Sequence, residues 1–274
     1  MCGISAFFAR ESVPDFEVLD TLFKGMMSRG QDGFGLCWIH NYKNDGRKIQ
    51  MVHRSGKNYD DSSNIDIVKT IRHQMNIGDV LIGIQRAAPE TESLTDPNRL
   101  KQTMQPIYSA DNRLVCVHNG SVSGRTHNEL REWSKTSGEY VFRTEIDSES
   151  IIAATVRFRR NMKDVFQYLS GGFAVIMYDE IKDCLYVVND HMQIAHSYSR
   201  VVGGFMLHSE LGPLENVLGK YHGVLKDGVN IWENYYHHFL DGHAIRKIDL
   251  QSGCMSKQSY TPRYIVGNTF DTSK

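Results

Sequence analysis

The chain has no apolar run long enough to cross a bilayer as a helix, which excludes a helical membrane span. Its start lacks a basic stretch followed by an apolar core and a cleavage site, so no secretory leader is expected and the expected setting is cytoplasmic. It has no CxxC pair. Its five cysteines, Cys2, Cys37, Cys116, Cys184 and Cys254, are odd in number and widely scattered, which fits neither a disulfide framework nor a zinc ligand pattern. No charge dominates: Lys+Arg 31 against Asp+Glu 32 leaves a net charge of -1 and no electrostatic footprint for nucleic acid or an anionic membrane surface. The 12 histidines, His237-His238 among them, show no ligand spacing and are expected to be structural. With only six prolines and no repeat, low-complexity tract or linker, residues 1–274 are expected to form one domain.

What is present is an ordinary globular composition. Hydrophobic residues make up 41% and charged residues 23%, and 274 residues suffice for a sizeable core. Period-two and short apolar runs predict strands over 3–9, 34–42, 48–54, 80–85, 114–118, 173–178, 184–188, 205–209, 244–250 and 256–260. Asn44-Asp45-Gly46 predicts a hairpin turn, and Asn119-Gly120 reads as a sharp turn after its strand. Helical spacing predicts helices over 15–28, within 60–76, and over 127–135, 151–158 and 163–169, with Asp147 as a candidate cap. Residues 87–105 read as a long loop broken by Pro89 and Pro97. Cys37, Cys116, Cys184 and Cys254 lie in or beside apolar runs and are expected in the core. Helices fall between groups of strands instead of alternating with them, which disfavours a doubly wound parallel sheet.

Cys2 stands apart by position. Loss of Met1 would leave one residue carrying both a thiol and a free α-amine, a nucleophile beside a candidate base. A strand beginning at Gly3 would fix that residue at a sheet edge.

Five stretches supply further parts: Cys2-Gly3-Ile4, Arg29-Gly30-Gln31-Asp32-Gly33-Phe34-Gly35, Gly83-Ile84-Gln85-Arg86, His118-Asn119-Gly120 and Asp147-Ser148-Glu149. In this order they resemble the class II glutamine amidotransferases, the N-terminal-nucleophile glutaminase domains found in amidophosphoribosyltransferase, glucosamine-6-phosphate synthase and asparagine synthetase. The likeness covers roughly residues 2–150 and continues more weakly through 172–179, 188–190 and 208–210. It implies an α+β fold, a four-layer αββα sandwich with two antiparallel sheets between helix layers.

The resemblance also implies hydrolysis of the side-chain amide of L-glutamine without metal or organic cofactor. Cys2 would be the nucleophile, and its amine, with a pKa of about 8, would move the protons. Asn119 and the Gly120 N–H would hold the oxyanion, each such donor contributing ~3 kcal/mol. Arg86 would clamp the α-carboxylate, Asp147 would meet the α-ammonium, and Arg29 would support the site. Ammonia would pass to a separate synthetase or transferase partner, because little chain is left beyond the glutaminase fold for an acceptor domain.

Two other functions stay open: an amidase for another γ-glutamyl amide or peptide, and a catalytically silent glutamine-binding scaffold. Three positions depart from the family. Pro89 stands where a threonine hydroxyl is common, Gly124 where asparagine is common, and Ser28 where histidine is common.

Overall fold

A computed structural model describes residues 1–87, 103–222, 235–240 and 242–261. Thirteen strands and six α-helices are formed among them. The strands are β1 (Gly3–Ala9), β2 (Gly33–Tyr42), β3 (Gly46–Ser55), β4 (Val80–Arg86), β5 (Ile107–Tyr108), β6 (Leu114–Val122), β7 (Gly171–Asp179), β8 (Cys184–Asp190), β9 (Ala195–Ser199), β10 (Gly204–His208), β11 (Tyr235–Phe239), β12 (Ala244–Asp249) and β13 (Met255–Ser259). The helices are α1 (Phe16–Gly25), α2 (Ser62–Gln74), α3 (Gly124–Ser137), α4 (Glu149–Arg157), α5 (Met162–Tyr168) and α6 (Gly212–His222).

The strands make a seven-stranded sheet, β11-β9-β10-β1-β4-β2-β3, and a six-stranded sheet, β13-β12-β8-β7-β6-β5. Pairing within both is antiparallel. Alternation along each strand sorts its side chains between two cores. From β1, Ile4, Ala6 and Phe8 enter a core shared by the two sheets, while Phe7 and Ala9 face α1, α2 and α6. From β7, Ala174, Ile176 and Tyr178 enter that shared core, while Phe173, Val175 and Met177 face α3, α4 and α5. Three cores therefore separate four layers, helices–sheet–sheet–helices, and the αββα expectation holds. No helix among the described residues is long and apolar enough to cross a membrane.

Several local expectations need correction. Asn119-Gly120 is not a turn: β6 continues through both residues to Val122, because β7 pairs with it as far as Gly171. The helix expected over 15–28 stops at Gly25 and tightens into a 3-10 turn, Met26–Ser28. Asp147 does not cap α4 through its side chain; that carboxylate accepts from the Val122 N–H instead. Cys37, Cys116 and Cys184 are buried as expected, but Cys254 is exposed at a turn before the edge strand β13. Strands β5, β9 and β11 and helix α6 were not expected. β9 reads Ala-His-Ser-Tyr-Ser, and its His196, Ser197 and Ser199 are buried polar residues with no apolar period to mark them. Of the long loop expected over 87–105, residues 88–102, Pro89 and Pro97 included, lie outside the described residues.

Candidate active site

Three neighbouring strands of the larger sheet bring one end of the chain together. Gly3 of β1 pairs with Gln85 of β4, and Arg86, the next residue, pairs with Gly33 of β2. Cys2, Arg86 and the turn before β2 thus lie at one end of three interior strands. The start of β1 is tied down further by Ser209, whose N–H donates to the Ile4 carbonyl at 2.9 Å and whose hydroxyl accepts from the Ile4 N–H at 3.2 Å.

Burial pushes the Cys2 thiol pKa up. The Ala87 backbone N–H, the charge of the chain terminus and the Arg86 guanidinium pull it down, and Asp147 pushes it up. Cys2, Arg86 and Asp147 therefore lie in one electrostatic neighbourhood. The free amine in this chain belongs to Met1, which is exposed.

Arg86 is buried and donates through Nη1 to the Thr103 hydroxyl at 2.5 Å. Its carbonyl accepts from the Asp32 N–H at 2.9 Å. The turn can approach so closely only because residue 30 is glycine: a Cβ there would fall 2.4 Å from the Arg86 carbonyl oxygen.

The smaller sheet supplies the opposing groups through β6. The Asn119 side chain is fully buried, and neither its Oδ1 nor its Nδ2 has a hydrogen-bond partner among the described residues. Native proteins rarely leave a buried carboxamide unsatisfied, so this one marks a place where a polar ligand atom belongs. Gly120 follows at φ +124, and a Cβ there would meet the Gly172 carbonyl oxygen at 2.0 Å. Only glycine fits both the dihedral and the space.

Behind these residues lies a network that the sequence did not announce. Gln105 grips the backbone of His118: its Oε1 accepts from the His118 N–H at 2.6 Å, and its Nε2 donates to the His118 carbonyl at 3.0 Å. β5 pairs with β6 only at Cys116 and Val115, so this carboxamide continues the ladder where backbone pairing has ended. Gln105 also reaches Ser148, whose hydroxyl lies 2.8 Å from His118 Nδ1 and donates to Asp147 at 3.4 Å. Burial lowers the His118 pKa, with Asp147 opposing, and the ring's Nε2 is buried without a partner among the described residues. The Asp147 carboxylate is fixed by the Val122 N–H at 2.6 Å. Gln105 carries no sequence signal for such a role, and the stretch Asp147-Ser148-Glu149 singles out Ser148 without its partners; only the fold brings these side chains together.

Arg29 is not among the groups whose charge acts on the Cys2 thiol. Its Nε pairs with the Glu210 carboxylate, and its buried Nη1 is without a partner among the described residues. Beside them His208 Nδ1 lies 2.8 Å from the Glu210 backbone nitrogen and 2.9 Å from its carbonyl oxygen, and Nε2 lies 3.1 Å from the Leu22 carbonyl. Burial lowers its pKa to about 4. Arg29 and Ser209 thus brace the turn and the start of β1, one step removed from Cys2. Gly124 opens α3 with open space beyond it and takes no part in the site.

Comparisons with known proteins bear on this arrangement. Residues 93–216 match the family model of the glutamine amidotransferase domain. The matched span contains Asn119, Gly120 and Asp147 and begins after Cys2, Arg29 and Arg86. No curated protein sequence matches the chain. Among solved structures it is similar to a glutamine phosphoribosylpyrophosphate amidotransferase from B. subtilis complexed with ADP and GMP, at TM-score 0.61 and 17% identity over 95% of this chain and 49% of that one. It is also similar to a structure described as the allosteric regulatory enzyme of purine biosynthesis, at TM-score 0.62 and 16% identity over 95% and 49%. The chain spans about half the length of both. At this identity the likeness to the solved structures is one of fold, and the glutamine amidotransferase domain is matched over residues 93–216 alone.

Proposed function

We propose that this chain, with its glutamine amidotransferase domain match and fold, hydrolyses the side-chain amide of L-glutamine with Cys2 as nucleophile once Met1 is removed. The observation that carries the reading is the buried, unpartnered carboxamide of Asn119 beside the φ +124 glycine. Preorganised donors without a resident acceptor are what a developing oxyanion requires.

In this reading the thiol gives its proton to the Cys2 α-amine and sulfur adds to the amide carbon. The oxyanion is held by the Asn119 amide and the Gly120 N–H. The ammonium returns the proton to the leaving nitrogen, ammonia departs, and a γ-glutamyl thioester remains. Water, deprotonated by the same amine, then releases glutamate and restores the thiol. The pull that the terminal charge already exerts on the Cys2 thiol from one residue away supports this, since processing moves that charge onto Cys2 itself. Arg86 meets the substrate α-carboxylate and Asp147 the α-ammonium, while Arg29 supports the turn beside them. Ammonia is consumed by a synthetase or transferase partner in trans.

The substrate assignment is tested by comparing ammonia release from glutamine with release from the same side-chain amide lacking both α-substituents. A large preference for glutamine that Arg86→Gln abolishes is expected. Equal turnover of the two amides would refute recognition by Arg86 and Asp147.

A further inference from the structure

We propose that Asp190, His191 and His243 form a binding site for a divalent transition-metal cation of the zinc class, independent of the glutamine chemistry above. The three sit where β8 ends and β12 begins, and their donor atoms all lie within 4.8 Å of one another. His191 Nε2 is 3.2 Å and His243 Nδ1 is 3.3 Å from the same atom, Asp190 Oδ1. Around a tetrahedral zinc with bonds of about 2.0–2.1 Å, neighbouring ligand atoms stand ~3.3 Å apart. Two edges of the donor triangle already have that length. The His191 side chain is 71% exposed, which leaves it room to adjust the third edge and leaves a fourth position to water.

Two imidazolium–carboxylate hydrogen bonds would give similar distances, but the alignment is wrong for them. Asp190 Oδ1 and His243 Nδ1 are both buried and have no hydrogen-bond partner among the described residues. Asp190 itself is only 3% exposed. A buried carboxylate oxygen facing two ring nitrogens, with no N–H aimed at it, costs solvation that a cation at the centre would offset. Two imidazoles and one carboxylate are also a donor set that suits zinc and its neighbours better than magnesium or calcium. The Tyr260 hydroxyl is a further buried group without a partner among the described residues, and the charge of Asp190 acts on it.

The backbone holds this cluster in an uncommon form. His191 has φ 60 and His243 φ 52, left-handed values that cost a side chain energy unless the surroundings enforce them. His191 also bridges to Phe173 at the start of β7, beside the Gly172 carbonyl that packs on Gly120. Through the register Asn189–Ala174–Asn119 the cluster lies two strands from β6, roughly 10 Å across the sheet. A bound cation would brace the β7 start against which the oxyanion-side glycine is packed.

The test uses the full chain stripped with chelator, titrated with Zn2+ by calorimetry and with Co2+ by visible absorption. One cation per chain is expected, with cobalt d–d bands of nitrogen and oxygen ligation. His191→Ala and His243→Ala are each expected to weaken Zn2+ binding at least ~10-fold. His191→Ala alters an exposed ring, so it reports on binding even where a change at buried Asp190 disturbs folding. No binding by the wild-type chain, or wild-type affinity in both histidine variants, would overturn the proposal. So would a cobalt–thiolate charge-transfer band, which would place the metal on Cys2 or Cys254.

Discussion

Gln105 occupies both backbone hydrogen-bonding groups of His118, accepting at 2.6 Å and donating at 3.0 Å, and so completes β6 one residue before Asn119. A side chain here performs the work of a missing strand. Gln105→Ala would leave a buried N–H and C=O unpaired, and a loss of about 1–3 kcal/mol in urea unfolding is expected. A loss below ~0.5 kcal/mol would mean that the network does not hold the strand.

Asn119 separates catalytic from structural roles. Its buried carboxamide satisfies nothing among the described residues, so Asn119→Ala should cost little or no stability, because no partner is orphaned. The same variant should lose ~10²–10³-fold in kcat with KM nearly unchanged if the amide binds the oxyanion. Thermal unfolding and steady-state kinetics on one preparation give both values. Destabilisation with kcat retained would reverse the assignment.

Much of this was legible beforehand, and the remainder was hidden for physical reasons. β1, β2, β4, β7 and β8 announce themselves because both faces of each strand are buried, giving compact apolar runs. β9 is hidden because its buried positions are polar, and α6 because Gly212, Pro213 and Gly219 interrupt the period of Leu214, Val217 and Leu218. Asn119-Gly120 has the composition of a turn, yet pairing with β7 holds it extended. The motifs carried Cys2, Arg86 and Asp147 into one neighbourhood. They gave no sign of Thr103 or Gln105, nor of the contact that Ser148 of the Asp147-Ser148-Glu149 stretch makes with His118; these depend on chain segments meeting from 17, 13 and 30 residues away.

Gly120→Ala tests the close approach to Gly172. The added methyl would fall 2.0 Å from a carbonyl oxygen at a dihedral that L residues rarely adopt. A cost of roughly 2 kcal/mol or more is expected in denaturant unfolding. A variant as stable as the wild type would show that β6 and β7 separate more easily than their packing indicates.

His208 gives a pH signature. Its pKa falls from 6.5 to about 4 on burial, so the folded protein resists a proton that the unfolded chain accepts. The stability from this group is complete above pH 6.5 and is lost as pH falls from there toward 4. Between pH 7 and pH 5 the loss is about 2 kcal/mol at one shifted histidine. Urea unfolding at both pH values should show it, and His208→Gln should show a smaller pH slope. An unchanged slope in the variant would assign the pH dependence elsewhere.

The account turns on Cys2, and the most direct measurement is glutamine hydrolysis by the wild type and by Cys2→Ala, each with its N-terminal residue identified by intact mass. The expected result is a wild-type protein that has lost Met1 and releases glutamate and ammonia, beside an equally processed Cys2→Ala protein that releases neither. Glutamine turnover surviving in Cys2→Ala would contradict the central claim, as would a wild-type protein active with Met1 still attached.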